Sequence, residues 1–223
     1  MNARILAALT ALLTPAAFVA ADEGWKPLVQ ADSLAGWIVK DGKPAQPGGW
    51  TISKGELDLE KPGAGDLVSA EEFGDCEIEF EWKISEGGNG GLKYRVRKSG
   101  NSWIGCEYQI LDDKKHPNGK VPKTTAASLY DVLPPEAGKE LKPAGEWNTS
   151  RIVSKGKHIE HWLNGKRVLN IETDSPAFTT AVAGSKFNKT AGFAQPGPGR
   201  LLIQDHGDKV SLRNLRIRSL KAE

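Results

Sequence analysis

Residues 76–111 read CEIEFEWKISEGGNGGLKYRVRKSGNSWIGCEYQIL, and their period decides the fold class. Through Cys76 to Ile84 every second residue is apolar (Cys76, Ile78, Phe80, Trp82, Ile84), and those between are Glu77, Glu79, Glu81 and Lys83. A strand alternates its side chains between two faces, whereas a helix returns to one face every 3.6 residues or so. After the turn Glu86-Gly87-Gly88-Asn89-Gly90-Gly91, the residues Leu92, Tyr94 and Val96 alternate with Lys93, Arg95 and Arg97. Ser99-Gly100-Asn101 turns the chain again, and Cys106, Tyr108 and Ile110 alternate with Glu107, Gln109 and Leu111. The three runs predict an antiparallel three-strand meander.

The same pattern extends outward. Arg151–Ser154 and His158–Leu163 predict a hairpin around Lys155-Gly156-Lys157, and Asn164-Gly165 is a tight-turn signal before a strand over Lys166–Ile171. Gly192–Ala194, Gly199–Asp205 and Val210–Arg218 complete the predicted strands. Helical periodicity is missing except for a short turn near Pro134–Glu140. Polar segments at Asp112–Ala127, Leu133–Gly145 and Thr173–Asn188 are long for a compact domain, which marks them as functional or mobile. The expectation is an all-β protein: a two-sheet antiparallel sandwich of the jelly-roll type, with residues 22–223 as a single domain.

Composition excludes several classes. The 223 residues carry 30 Lys and Arg against 28 Asp and Glu, a net charge of +2, and no basic stripe. Nucleic acid is therefore not an expected partner. Beyond the N-terminus no uncharged span is long enough for a membrane helix. The N-terminus has Arg4, an apolar stretch from Ile5 to Val19, and small residues at Ala20-Ala21 before Asp22. That is a secretory leader pattern over residues 1–21 and predicts a periplasmic or secreted protein. Cys76 and Cys106 start two strands separated by a third in the predicted meander. Next-nearest strands lie about 10 Å apart, too far for a disulfide, so buried thiols are favoured.

If Leu92, Tyr94 and Val96 face the core, then Lys93, Arg95, Glu107 and Gln109 share the opposite face, together with Glu77, Glu79 and Glu81. Periodicity alone leaves two readings: a solvated face of cross-strand ion pairs, or a binding face for a sugar. His158 and His161 are three apart in one strand and point to opposite faces, which makes them structural or surface residues. Gln204 and His206 share a face at a strand end. His206 is placed to act as a base, since its ordinary pKa is near neutrality. Trp103 lies in a turn, where it would stack on a sugar ring. No phosphate loop, zincin motif, nucleophile elbow or dinucleotide fingerprint is present.

Several segments, in order, then carry a resemblance. They are LVQADSLAGW (28–37), DCEIEFEWKISEGGNGGLKYRV (75–96), GCEYQILDD (105–113) followed by HP, SLYD (128–131), GEWN (145–148), IEHWLNG (159–165) and LLIQDHGDKVSLRNLRIR (201–218). Together the chain resembles the 3-keto-disaccharide hydrolase domain family across nearly its whole mature length. The resemblance implies a concanavalin-like jelly roll and cleavage of glycosides already oxidised at C3. It raises Lys93, Arg95, Glu107, Gln109, Asp112, His116 and His206 to site candidates. His206 or Glu107 is the implied base, Lys93 or Arg95 stabilises the enolate, and Gln109, Asp112, His116 and Trp103 contact substrate. A divalent metal ion in place of the cation is compatible with this chemistry, although the ligand spacing does not force one. The family chemistry also implies an upstream sugar C3-oxidoreductase. Relatives often have Ser where this chain has Gly90, which puts in doubt any substrate contact from that hydroxyl. A non-catalytic carbohydrate-binding module and an ordinary two-carboxylate glycosidase remain alternatives at this point.

Overall fold

The computed structural model describes residues 24–30 and 32–221. The leader predicted at residues 1–21 lies outside the described residues. Thirteen strands are described: β1 (Lys26–Pro27), β2 (Trp37–Ile38), β3 (Trp50–Ser53), β4 (Glu56–Leu59), β5 (Leu67–Ser69), β6 (Cys76–Ile84), β7 (Asn89–Ser99), β8 (Ser102–Leu111), β9 (Asn148–Lys155), β10 (His158–Leu163), β11 (Lys166–Glu172), β12 (Arg200–Ile203) and β13 (Val210–Ser219). They form two antiparallel sheets. One is eight-stranded, ordered β11-β10-β9-β6-β13-β4-β3 with β1 also beside β13; the other is five-stranded, ordered β2-β5-β12-β7-β8. The all-β two-sheet expectation holds.

The core lies between the sheets, as the alternation requires. Ile78, Phe80 and Trp82 of β6 meet Leu92 and Tyr94 of β7 and Cys106, Tyr108 and Ile110 of β8 in one buried cluster. Phe80 and Tyr108 touch edge to face with centroids 5.4 Å apart, a favoured aromatic geometry. Polar atoms of the core aromatics find partners: Trp82 Nε1 donates to Ser150 Oγ (2.9 Å), which also lies 2.7 Å from the Tyr108 hydroxyl. His161 is fully buried, with Nδ1 on the Ala127 carbonyl (3.0 Å) and Nε2 facing the Tyr94 hydroxyl (2.9 Å). His161 is thus a structural histidine, as its strand position suggested.

The three-strand meander is corrected. β7 and β8 form the expected hairpin, but β6 belongs to the opposite sheet, between β9 and β13. The segment from Ser85 to Gly88 therefore crosses from one sheet to the other. Period two shows which face a residue occupies and not which strand lies beside it. The outer residues of β6 instead meet arginines: Glu77 accepts from Arg151 Nη1 (2.7 Å) and Arg218 Nε (2.7 Å), Glu79 from Arg216 and Glu81 from Arg213. Cys76 and Cys106 are both buried free thiols. They come from facing sheets rather than from next-nearest strands of one.

Local readings also shift. Asn164 (φ 48°) and Gly165 (φ 82°) make the expected tight turn. Within Thr173–Asn188 lies a short helix, α1 (Pro176–Ala183), opened by Ser175, whose Oγ accepts from the Phe178 amide at 3.2 Å. Eight residues are too few for apolar periodicity to declare itself. Pro117–Lys120 and Pro122–Thr124 are 3-10 turns, while Pro134–Glu140 is irregular and Gly192–Ala194 is not a strand. Among the described residues no helix is long and apolar enough to cross a membrane.

Candidate active site

The outer face of the five-stranded sheet gathers the polar residues. Lys93 and Glu107 are cross-strand partners on β7 and β8, and Lys93 Nζ lies 3.6 Å from Glu107 Oε2. Gln109 is one step along the face, opposite Gly91. A Cβ on Gly91 would stand 2.9 Å from Glu107 Oε1, so the carboxylate lies over a glycine that has to stay bare. Gln109 Nε2 donates to Asn89 Oδ1 (3.0 Å), and Asn89 Nδ2 faces His206 Nε2 at 3.4 Å. The buried oxygens Gln109 Oε1 and Gln204 Oε1 have no partner among the described residues. A buried unpaired acceptor costs free energy, which a hydroxyl-bearing ligand would recover.

A strap frames this face from the β8 side. Tyr130 N donates to the Glu107 carbonyl (3.0 Å) and Ala127 N to that of Gln109 (2.9 Å). Two non-glycine residues with positive φ bound the strap, Ala127 (64°) and Asp131 (61°). Such conformations persist only where the surroundings hold them. Here Asp113 accepts from Ala126 N (2.7 Å), and Asp131 Oδ2 accepts from Lys186 N (2.6 Å). Lys186 Nζ is thereby set 4.1 Å from the centre of the Tyr130 ring.

Charge and burial act together on this group. Burial raises the Glu107 pKa above the usual carboxylate value, and the positive charges of Lys93, Lys186 and His206 oppose it. Partial desolvation lowers the Lys186 pKa; the Glu107 charge resists this and Lys93 adds to it. Burial raises the Tyr130 pKa, reinforced by Glu107 and Asp131 and countered by a hydrogen bond with Asn118, so its hydroxyl keeps its proton. The result is one carboxylate, two ammonium groups, a phenol and a string of amides on one face.

Of the sequence candidates, Lys93, Glu107, Gln109 and His206 converge here, and four others do not. Arg95 is corrected: β7 bulges between Tyr94 and Arg97, and Arg95 takes φ 52° there. Its guanidinium turns inward, donating to Ser154 Oγ (2.8 Å) and to the carbonyls of Ala194 (2.8 Å), Gly156 (2.8 Å) and His158 (3.3 Å). It ties the sheets together and does not reach the site face. Asp112 is spent on the amides of Gly87 (2.8 Å) and Lys114 (3.1 Å), which pins the crossover leading to Asn89. His116 accepts from Asn118 N (3.1 Å), and so orients the residue that meets Tyr130. Trp103 does share the face, but four residues from Glu107 along β8, roughly 13 Å at strand rise. Its Nε1 donates to the Lys40 carbonyl (3.3 Å).

Further corrections follow from orientation. Glu77, Glu79 and Glu81 line the other sheet. Asp205, beside His206 in the chain, accepts from the amides of Gly65 (2.8 Å) and Gly207 (3.0 Å). Position 90 faces inward, and a Cβ there would touch Val210 at 3.9 Å. A serine hydroxyl would not point to the site face, so Gly90 removes no substrate contact. Sequence reasoning missed Asn89, Tyr130, Lys186 and the role of Gln204. Asn89 has the parity of Gly91 and Lys93, and extending the period into the glycine turn would have found it. Tyr130 stands in the SLYD motif. Lys186 lies in the long Thr173–Asn188 segment, whose length marked the segment but not the residue. Among the described residues no three His, Cys, Asp or Glu side chains gather as a metal-holding cluster.

The description 3-keto-alpha-glucoside-1,2-lyase-like domain matches residues 24–218. A Bacteroides thetaiotaomicron protein named 3-keto-disaccharide hydrolase is 31% identical, covering 89% of this chain and 79% of that protein. A solved Parabacteroides distasonis structure, named as a candidate glycosyl hydrolase, superposes with a TM-score of 0.80 at 27% identity, covering 89% of this chain and 95% of that one. A Bacillus subtilis protein of galectin-like fold, 13% identical with a TM-score of 0.51 over 87% of this chain and 94% of that one, shows the same sandwich architecture. The family match takes in both sheets and every residue of the Glu107 site, and the chain therefore belongs to the 3-keto-alpha-glucoside-1,2-lyase-like domain family.

Proposed function

We propose that the protein is a glycoside-cleaving enzyme acting on sugars oxidised at C3. The ketone acidifies the C2 hydrogen. Glu107 removes that proton, leaving an enolate whose C3 oxygen lies against the ammonium groups of Lys93 and Lys186, since preorganised cations act best where charge develops. Collapse of the enolate forms the C1–C2 double bond and expels the C1 oxygen, which takes a proton from Tyr130 or His206. Water then adds at C1 and a proton returns to C2, so the net outcome is hydrolysis. Gln109 and Gln204 accept from ring hydroxyls through their unpaired oxygens.

The observation that carries this reading is the buried Glu107 between two lysines, a carboxylate with a raised pKa and cations beside it. A base is most effective when its pKa approaches the working pH. An ordinary glycosidase uses two carboxylates flanking the bond, and Glu77, Glu79 and Glu81 face the opposite side of the sandwich. The test is turnover of a chromogenic glucoside carrying a C3 ketone against its C3-hydroxyl counterpart, each with and without chelator. Release from the ketone alone is expected. Release from the plain glucoside would favour two-carboxylate hydrolysis, and release from neither a binding role. Loss with chelator would assign the electrophile to a metal.

The same proposal includes export. The leader pattern puts the mature protein in the periplasm or outside the cell, starting at Asp22, and intact-mass measurement of the exported protein checks this. An oxidoreductase that converts the C3 hydroxyl to a ketone has to act first, because the proposed chemistry starts from the ketone.

A further inference from the structure

We infer that the outer face of the eight-stranded sheet holds a second ligand site, a groove for a neutral oligosaccharide. A groove of about 780 Å³ crosses this face, within the size range of ligand sites and on the opposite side of the core from Glu107. Its floor is one continuous cross-strand row. Trp162 of β10 stands opposite Arg151 of β9, Arg151 opposite Glu79 of β6, Glu79 opposite Arg216 of β13, and Arg216 opposite Pro27 of β1. Five strands at sheet spacing give the row a length of about 19 Å, suited to several linked sugar rings rather than one.

The chemistry of the row selects the ligand class. Its charges are answered internally: Arg216 donates to Glu79 from Nε (3.0 Å) and Nη2 (2.7 Å), and Arg151 donates to Glu77 (2.7 Å). Beside it, Glu81 accepts from Asn214 (2.6 Å) and Arg213 (2.8 Å). The lining carries two carboxylates, Glu79 and Glu81, against two guanidiniums, Arg151 and Arg216, so it favours neither sign of ligand charge. A neutral polyol finds what it needs, because paired carboxylates and guanidiniums still offer acceptors and donors to hydroxyls. The side chains of Arg216, Glu79 and Arg151 remain 40%, 33% and 32% exposed. Trp162 supplies an aromatic surface at one end, with the Arg151 guanidinium 4.1 Å from its ring. The backbone is shaped for the groove as well. β13 bulges between Arg213 and Arg216, and Asn214 adopts φ 51° there, which sets its amide at the groove wall.

The inference does not depend on the proposed reaction, since the groove and the Glu107 site lie on opposite faces. A sugar chain held here would keep the protein on a polymer while the other face works on a separate end. The experiment is calorimetric titration of the full chain with maltohexaose, cellohexaose and laminarihexaose, with chondroitin sulfate as an anionic control. Binding of at least one hexasaccharide is expected. Trp162→Leu should weaken it at least tenfold. Thr149→Phe, which fills the groove from an exposed position, should do the same without altering the melting temperature or turnover of a 3-keto glucoside. No binding of any hexasaccharide, binding indifferent to Thr149→Phe, or binding of the sulfated chain alone would each overturn the inference.

Discussion

Glu107 is held by opposing forces: burial pushes its proton affinity up and its cationic neighbours pull it down. The proposed reaction needs the ionised form, so kcat/KM should rise with pH through a group titrating above the usual carboxylate value of 4.5. Removing Lys93 as Lys93→Met deletes a stabilising charge, which raises that pKa further and moves the acid limb to higher pH. A pH–rate profile of the two proteins reads this directly, and an unmoved limb would assign the base elsewhere. Glu107→Gln should lower kcat by about 10²–10⁴ with the fold intact by circular dichroism. The glycines separate by facing. Gly90→Ser should be neutral for turnover, whereas Gly91→Ser places a side chain into the Glu107 carboxylate and should cost most of the activity. At this scale the sequence was legible where parity sufficed: Lys93, Glu107 and Gln109 follow from alternation on two paired strands. Arg95 shows where it stops. Parity put it on the site face, and one bulge turned it to the other side.

At the scale of elements, the bulge in β7 and the strap after residue 126 are two halves of one arrangement. The inward-turned Arg95 holds the carbonyls of Gly156 and His158 on the opposite sheet, and His161 of β10 holds the strap through the Ala127 carbonyl. Arg95→Leu strips donors from buried carbonyls and should cost about 2–4 kcal/mol on the scale of unsatisfied groups, read by urea unfolding, with KM unchanged. Burial pushes the His161 pKa from 6.5 down to about 4. The unfolded chain then binds the extra proton in that window, so stability is full above pH 6.5 and falls as pH drops towards 4, by about 3 kcal/mol. His161→Gln should flatten that slope in urea titrations between those pH values. Beyond the structural role of His161, these ties were not visible in the sequence, which carries the period of a strand but not its lateral partner. Hence the meander reading paired β6 with β7, although β6 is flanked by β9 and β13.

For the whole molecule, the two-sheet architecture was legible because short alternating runs and turn residues recur along the chain, while the five short strands before residue 70 and helix α1 were too brief to register. The sandwich also buries both thiols, and burial raises the pKa of Cys76 and Cys106 to about 12. Neither should react with a thiol reagent at neutral pH in the native protein, and both should react once urea unfolds it. A strand order with late segments at the centre has a further effect. β13, ending at Ser219, lies between β6 and β4, and β12 lies between β5 and β7. Neither sheet is continuous until these last strands arrive. A chain truncated after residue 208 should therefore stay unfolded by near-ultraviolet circular dichroism.

That ordering acts as a built-in delay. While the ribosome still holds the segment that becomes β13, the eight-stranded sheet has no centre to close around, and the chain stays open. Closure of the sandwich is deferred until β13 is free to enter between β6 and β4.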